Sequence, residues 1–309
     1  MTSQIHPPTL SGGVANVAGV STTDTRAPRV HVRDIDGTGE LGHRADEPLA
    51  LASVAKVLIT LEFARQAATG ALDPAERVVA RREDRLGGSG TAGFADDVEL
   101  SLRDCANLAM TISDNTAADL IEERVGTEPV HLLVRELGLE HTRFVGGPRA
   151  LLRAMLDDAR AAGADPAAPH PPDPARVTSS TPRDLTRLLQ LVWTDSAAPP
   201  QACAFVRELM ARQLVRARLA SGFAPPIRVS GKTGTLPGLR MEAGVVEYPD
   251  GHRYAVAVAA LGVDAWGDGH EVDAALGRAA RAAVEELRGR RATDSGGPAL
   301  PAGPADVIR

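Results

Sequence analysis

Apolar and polar positions alternate in "RVHVRDI" from residue 29, the period of a strand with one face buried. "DGTGE" then supplies turn residues, and "LGHR" predicts a second short strand beside the first. From residue 53 to about 220 the pattern is mainly helical. In "SVAKVLITLEFARQAATGALD", Val54, Leu58, Leu61 and Ala64 recur at helical spacing, and Gly70 supplies a stop. "SLRDCANLAM", "NTAADLIEERVG", "EPVHLLVRELG" and "TPRDLTRLLQLVW" predict further short helices with recognisable caps. From about residue 227 strands return as "IRVSGKTG", "MEAGVVEY" and "RYAVAVAALG", the last two joined by a "PDG" turn. "EVDAALGRAARAAVEELRGR" closes the chain as an amphipathic helix.

Strands at both ends with helices between them predict an α/β (α+β) fold. One antiparallel sheet is assembled from distant segments and flanked by helices, with an all-α domain inserted. Residues 29–52 and 221–291 then form the sheet domain and residues 53–220 the helical one. Residues 1–28 and 292–309, rich in small and turn-forming residues, read as flexible segments outside the core. "DPAAPHPPDP", residues 165–174, reads as a long surface loop.

Composition narrows the function classes. Aromatic residues are only 3%, so Ala, Val and Leu must build most of the core. A net charge of −6 with scattered basic residues argues against nucleic acid as a partner, and no polybasic patch suggests a membrane surface. The first residues lack a basic start followed by a long apolar run, and no window resembles a transmembrane helix. The expectation is a cytoplasmic protein, or a secreted one if a leader has been trimmed. Cys105 and Cys203 lack metal-ligand spacing and read as buried, reduced thiols. No metal or organic cofactor is implied, and the expected partner is a small-molecule substrate. The oligomeric state is not legible.

Lysine usage carries the chemistry. Lys and Arg together number 34, yet only Lys56 and Lys232 are lysines. Lys56 lies three residues after Ser53, on the same side of a predicted helix. A serine hydroxyl is a poor nucleophile until a base takes its proton. A desolvated lysine, or one beside another cation, can be that base, whereas arginine stays protonated. The plainer reading is a helix-capping serine followed by a solvent-facing lysine. "ISDNTAADL" places Ser113, Asp114 and Asn115 at a helix start, where a run of capping residues is equally natural. "SGKTGTL" places Lys232, Thr233 and Gly234 on a predicted edge strand, where a charge is also ordinary. Each is ambiguous alone; the three in this order, holding both lysines, are not.

S-x-x-K, S-D-N and K-T-G in sequence resemble the class A-like branch of the β-lactamase and penicillin-binding serine hydrolase superfamily. The resemblance covers roughly residues 29–291 and includes the approach to Ser53 and the "TSSTPRDLTRLL" helix start. It implies an α/β sandwich with an all-α domain. It also implies Ser53 as the acylated nucleophile, Lys56 as the amine accepting its proton, and Ser113 as a relay towards the departing nitrogen. Asn115 would hydrogen-bond Lys56 and the substrate amide, and Lys232 would keep a positive field near Ser113 and Lys56. Thr233 and Thr235 would grip a substrate carboxylate, and the N–H groups of Ser53 and Thr235 would form the oxyanion hole. Gly234 would let substrate lie close to the strand. Arg240 would be either a second cation for the carboxylate or a solvated surface arginine.

One departure from the family matters. Class A enzymes carry a glutamate in a loop between S-D-N and K-T-G that activates the deacylating water. No Glu occurs between His141 and Arg207; Asp157, Asp158, Asp165 and Asp173 are present but lack the E-x-x-L-N pattern. Three expectations stay open. The chain is a serine hydrolase of β-lactam, amide or ester substrates; or an acyltransferase or penicillin-binding-protein-like enzyme with slow deacylation; or a non-catalytic ligand-binding member of the fold.

Overall fold

Six alternating residues make β1 (Arg29–Asp34), whose Val30 and Val32 are buried on one face. It pairs antiparallel with β2 (Glu40–His43). In this computed structural model, which describes residues 28–163, 171–263 and 269–295, a two-residue strand β3 (Leu49–Ala50) leads into a 3-10 turn, Ala52–Ala55. Helix α1 (Lys56–Thr69) continues from that turn and stops at Gly70, whose φ of 77° is left-handed as expected of a glycine stop. A hairpin of β4 (Arg77–Ala80) and β5 (Val98–Ser101) follows. Then come α2 (Leu102–Thr111), α3 (Asn115–Val125), α4 (Thr127–Glu136) and α5 (Pro148–Ala162). A second two-residue strand, β6 (Ser179–Ser180), pairs with β3 and precedes α6 (Pro182–Trp193) and α7 (Pro200–Ala211). The chain returns to the sheet with β7 (Arg228–Leu236), β8 (Gly238–Glu247) and β9 (Arg253–Val263), then α8 (Gly269–Ser295).

The main sheet has five antiparallel strands in the order β2-β1-β9-β8-β7, so first and last segments meet at its centre and β7 forms an edge. Both faces are covered, which is why "YAVAVAALG" reads as a continuous apolar run. Alternate residues divide between two cores. Val32, Val246, Tyr254, Val256 and Val258 pack with Leu276, Ala280 and Val284 of α8. Met241, Ala243, Val245, Ala255, Ala257 and Ala259 face the helical core, with α6 laid over β1 and β9. Helix α1 is buried from Lys56 to Ala64, so it is the central rod of the helical layer rather than an amphipathic surface helix.

Three of the four helices expected to be capped carry a side-chain cap, whereas α4 starts at Gly126 without one. The Ser101 hydroxyl accepts from Asp104 N–H, Asp114 accepts from Ala117 N–H, and Thr181 accepts from Asp184 N–H. Both cysteines are buried and free. The lead-in and tail expected to be flexible lie outside the described residues at 1–27 and 296–309, as does 165–170 of the expected loop. At the inner edge of that tail, α8 runs five residues beyond the expected helix end at Arg290, to Ser295. Among the described residues no helix is long and apolar enough to cross a membrane.

Candidate active site

The elements around α1 bring the three motifs together. Leu51 N–H bonds Thr178 O at 3.0 Å and Val54 N–H bonds Leu51 O at 2.9 Å, which fixes the turn carrying Ser53. Ala52, just before it, has φ of 46°, a costly conformation for a residue with a Cβ. Ser53 itself makes no cap bond to α1. Its hydroxyl instead lies 3.1 Å from Lys56 Nζ. The plainer reading of S-x-x-K fails on both counts, because Lys56 is only 1% exposed.

S-D-N turns out to divide the two readings between its members. Asp114 is the cap: its fully buried carboxylate accepts from Thr91 N–H at 2.7 Å, Thr91 Oγ1 at 3.0 Å and Ala117 N–H at 3.0 Å. Asp114→Ala removes a cap and leaves buried donors unpaired, so it is expected to cost about 2–4 kcal/mol in urea unfolding. A loss below about 0.5 kcal/mol would show that the loop before α3 re-forms without it. Its neighbours face Lys56. Ser113, held at φ of 66°, presents its carbonyl at 2.6 Å and its hydroxyl at 3.2 Å, and Asn115 presents Oδ1 at 2.7 Å.

Those distances fix what Lys56 can do. Carbonyl oxygens only accept, so Ser113 O and Asn115 Oδ1, the two shortest partners, each take an N–H. Burial, and then the charge of Lys232, hold the Lys56 amine well below the usual lysine range. A neutral amine has two N–H bonds and one lone pair. In that neutral form, with both N–H groups given to the two carbonyls, the lone pair would be left for a hydroxyl proton; Ser53 Oγ at 3.1 Å and Ser113 Oγ at 3.2 Å both lie within reach.

Lys232 approaches from β7. Its Nζ donates to Ser113 Oγ at 3.1 Å and to Thr233 O at 3.1 Å. It is fully buried, and burial, with Arg218 adding to it and Glu242 opposing, brings its pKa down to about 7. The Ser113 hydroxyl therefore sits between the two lysines.

The remaining predicted residues line β7 and its neighbours, with some corrections. A Cβ on Gly234 would come within 2.9 Å of Leu51 O and 3.2 Å of Ala52 Cβ. The glycine thus lets β7 pack against the turn that carries Ser53, rather than serving only to admit substrate. Thr233 is not free to grip a carboxylate: its N–H at 2.7 Å and its hydroxyl at 3.1 Å both donate to Gln213 Oε1. Thr235 is exposed and lines the cleft beside Ser53. Its hydroxyl accepts from Arg218 Nη2 at 2.7 Å. Arg240 is not a solvated surface arginine; it donates to Asp273 Oδ2 at 3.0 Å, while Arg218 donates to Asp273 Oδ1 at 2.7 Å.

Three residues of this assembly escape sequence reasoning: Arg218, Gln213 and Glu242. Gln213 Nε2 donates to Glu242 Oε1 at 2.9 Å, and Leu219 N–H donates to Oε2 at 2.8 Å. Glu242 is fully buried, and that burial raises its pKa. An acid at Glu242, inside the apolar strand "MEAGVVEY" rather than at its end like Glu247, was the available signal. Arg218 and Gln213 lie in a loop and give none.

Beside Ser53 opens a cavity of about 230 Å³, whose lining includes Asn115, Thr235, the Gly146–Gly147 backbone and the inner side of α5. Among the described lining residues there is no Asp or Glu.

Comparison with known proteins agrees with this geometry. The family model described as "Beta-lactamase enzyme family" matches residues 14–287. The β-lactamase regulatory protein BlaB of Streptomyces cacaoi is 33% identical over 256 residues, which is 74% of this chain and 82% of that protein. A β-lactamase from Sphaerobacter thermophilus superposes with a TM-score of 0.73 at 24% identity, covering 88% of this chain and 95% of that one. A class A β-lactamase from Mycobacterium abscessus gives 0.71 at 20% identity over 85% and 94% of the two chains. PBP-A gives 0.70 at 21% identity over 85% and 92%. At these identities the structural matches establish the shared fold.

Proposed function

The chain belongs to the β-lactamase enzyme family and is a serine β-lactamase-like hydrolase, and on that premise we propose that it works through an acyl-enzyme at Ser53. The observation that carries this reading is the buried Lys56 amine, which Ser113 O and Asn115 Oδ1 hold at 2.6 and 2.7 Å with Ser53 Oγ 3.1 Å from its Nζ, so that in the neutral form its lone pair serves that hydroxyl. The Ser53 proton passes to Lys56 Nζ as Oγ bonds the β-lactam, amide or ester carbonyl carbon. Negative charge on that carbonyl oxygen is met by the N–H groups of Ser53 and Thr235. As the C–N bond breaks, the departing nitrogen takes the Ser113 hydroxyl proton, which the Lys56 ammonium replaces. Asn115 holds Lys56 and the substrate amide, and Lys232 supplies the positive field. Thr235 accepts from Arg218, so its own O–H points its single proton at a substrate carboxylate. Arg240, tied to Arg218 through Asp273, adds positive potential on the same side.

A slow second step is favoured by the lining of the cavity, where no described residue offers a carboxylate to activate water. An acyl-enzyme that persists is also in keeping with a relative named as a regulatory protein. A chromogenic β-lactam with parallel intact-mass measurement tests both points. The expected course is a burst of one acyl group per chain, mapped by peptide mass to Ser53, followed by a steady rate at least about 10²-fold slower. Steady turnover without a burst would mean that another base activates water. No adduct with either a β-lactam or an activated ester would overturn the acyl-enzyme.

A further inference from the structure

The cavity at Ser53 has few polar side chains in its lining. Ser53, Asn115 and Thr235 supply them, the Thr178 hydroxyl being engaged by Val145 N–H and Gly146, while Leu86, Leu151, Leu152, Met155 and Leu236 supply apolar surface. Leu151, Leu152 and Met155 come from successive turns of α5, so one helix face forms the far wall. Leu152 is 39% exposed, one of few large apolar side chains in the described residues left so open. That wall is fixed, not loose. Gly147 N–H donates to Glu122 Oε2 at 2.7 Å and Arg149 N–H donates to Asp119 Oδ1 at 3.2 Å, so two α3 carboxylates cap α5. Neither acid lines the cavity.

Resting on the acyl-enzyme reading, we propose that this cavity receives the acyl part of the donor and selects an apolar one, the size of a hexanoyl or phenylacetyl group. A dry apolar cavity of about 150 Å³ already holds a benzene ring, and this one measures about 230 Å³. A charged acyl chain finds no counter-charge among the described lining residues and loses its hydration there. With Ser53 as nucleophile in the cavity lining, acyl carbons beyond the carbonyl run along the leucines while the leaving group points to β7.

The full chain is mixed with p-nitrophenyl acetate, p-nitrophenyl hexanoate and the mono-p-nitrophenyl ester of adipic acid. Acylation is followed by nitrophenolate burst and intact mass, each rate divided by its uncatalysed rate. Hexanoyl transfer is expected to exceed acetyl transfer at least about tenfold, with the carboxylate-ended chain no faster than acetyl. Leu152→Asp should cut the hexanoyl-to-acetyl ratio at least about fivefold, whereas Leu214→Asp, at an exposed leucine outside the cavity, should leave it as it is. Equal rates for all three esters, a preference for the charged chain, or a ratio insensitive to Leu152→Asp would overturn the selectivity while keeping the acyl-enzyme. No adduct from any ester would overturn both.

Discussion

Ser53→Ala is expected to leave no covalent adduct with penicillin or an activated ester at any time, while the protein stays folded. Removing the hydroxyl removes the only nucleophile among the described residues that both meets the Lys56 amine and lines the cavity. Ser113 is the one rival, since its Oγ lies 3.2 Å from Lys56. It also accepts from Lys232 and does not line the cavity, so it does not inherit the reaction. Alanine fits the 3-10 turn, and the Ser53 hydroxyl caps nothing. Unfolding free energy should therefore change by less than about 0.5 kcal/mol. Intact mass and urea unfolding on one preparation settle it; an adduct in this variant would move the nucleophile elsewhere.

Lys56→Arg should lower the acylation rate at least about 10³-fold, as much as Lys56→Ala. Arginine keeps the positive charge but has no lone pair near neutral pH, so the substitution separates a proton acceptor from a mere charge. Its greater bulk at a site only 1% exposed offers a second reason for failure. Two readouts distinguish them. Wild-type acylation should be present above the depressed pKa of Lys56 and be lost as pH falls through it, because the ammonium form cannot take the Ser53 proton. Stability gives the matching sign: between the folded and unfolded pKa values the unfolded chain binds more protons, so Lys56 makes stability rise with pH across that window. In Lys56→Ala, added methylamine should restore part of the rate and guanidinium none. Near wild-type activity in Lys56→Arg would reduce Lys56 to a source of charge.

The parts of this protein legible in its sequence are those set by near neighbours along the chain. Alternation marked β1, whereas short apolar runs bounded by turn residues marked β8 and β9, because both faces of the sheet are covered there. Capping side chains marked the starts of α2, α3 and α6, because they bond N–H groups two or three residues on. Ser53 and Lys56 were legible as a pair because three residues of a tight turn bring side chains to the same side. The β4–β5 hairpin was not, since each strand has only four residues and most of them are exposed or half-buried.

What tertiary structure decided is which polar groups face each other across large sequence separations. Ser113 meets Lys232 across 119 residues, and Arg218 reaches Thr235 from a loop without periodicity. Thr233 and Thr235 look equivalent in "KTGT", yet Gln213 engages one and leaves the other to the cleft. The Lys56 amine is held below the usual lysine range chiefly because surrounding elements exclude water from it, and α5 walls the cavity only because it lies beside the turn carrying Ser53. Local propensity specifies backbone shape over a few residues, whereas desolvation and charge pairing depend on every element packed around a group.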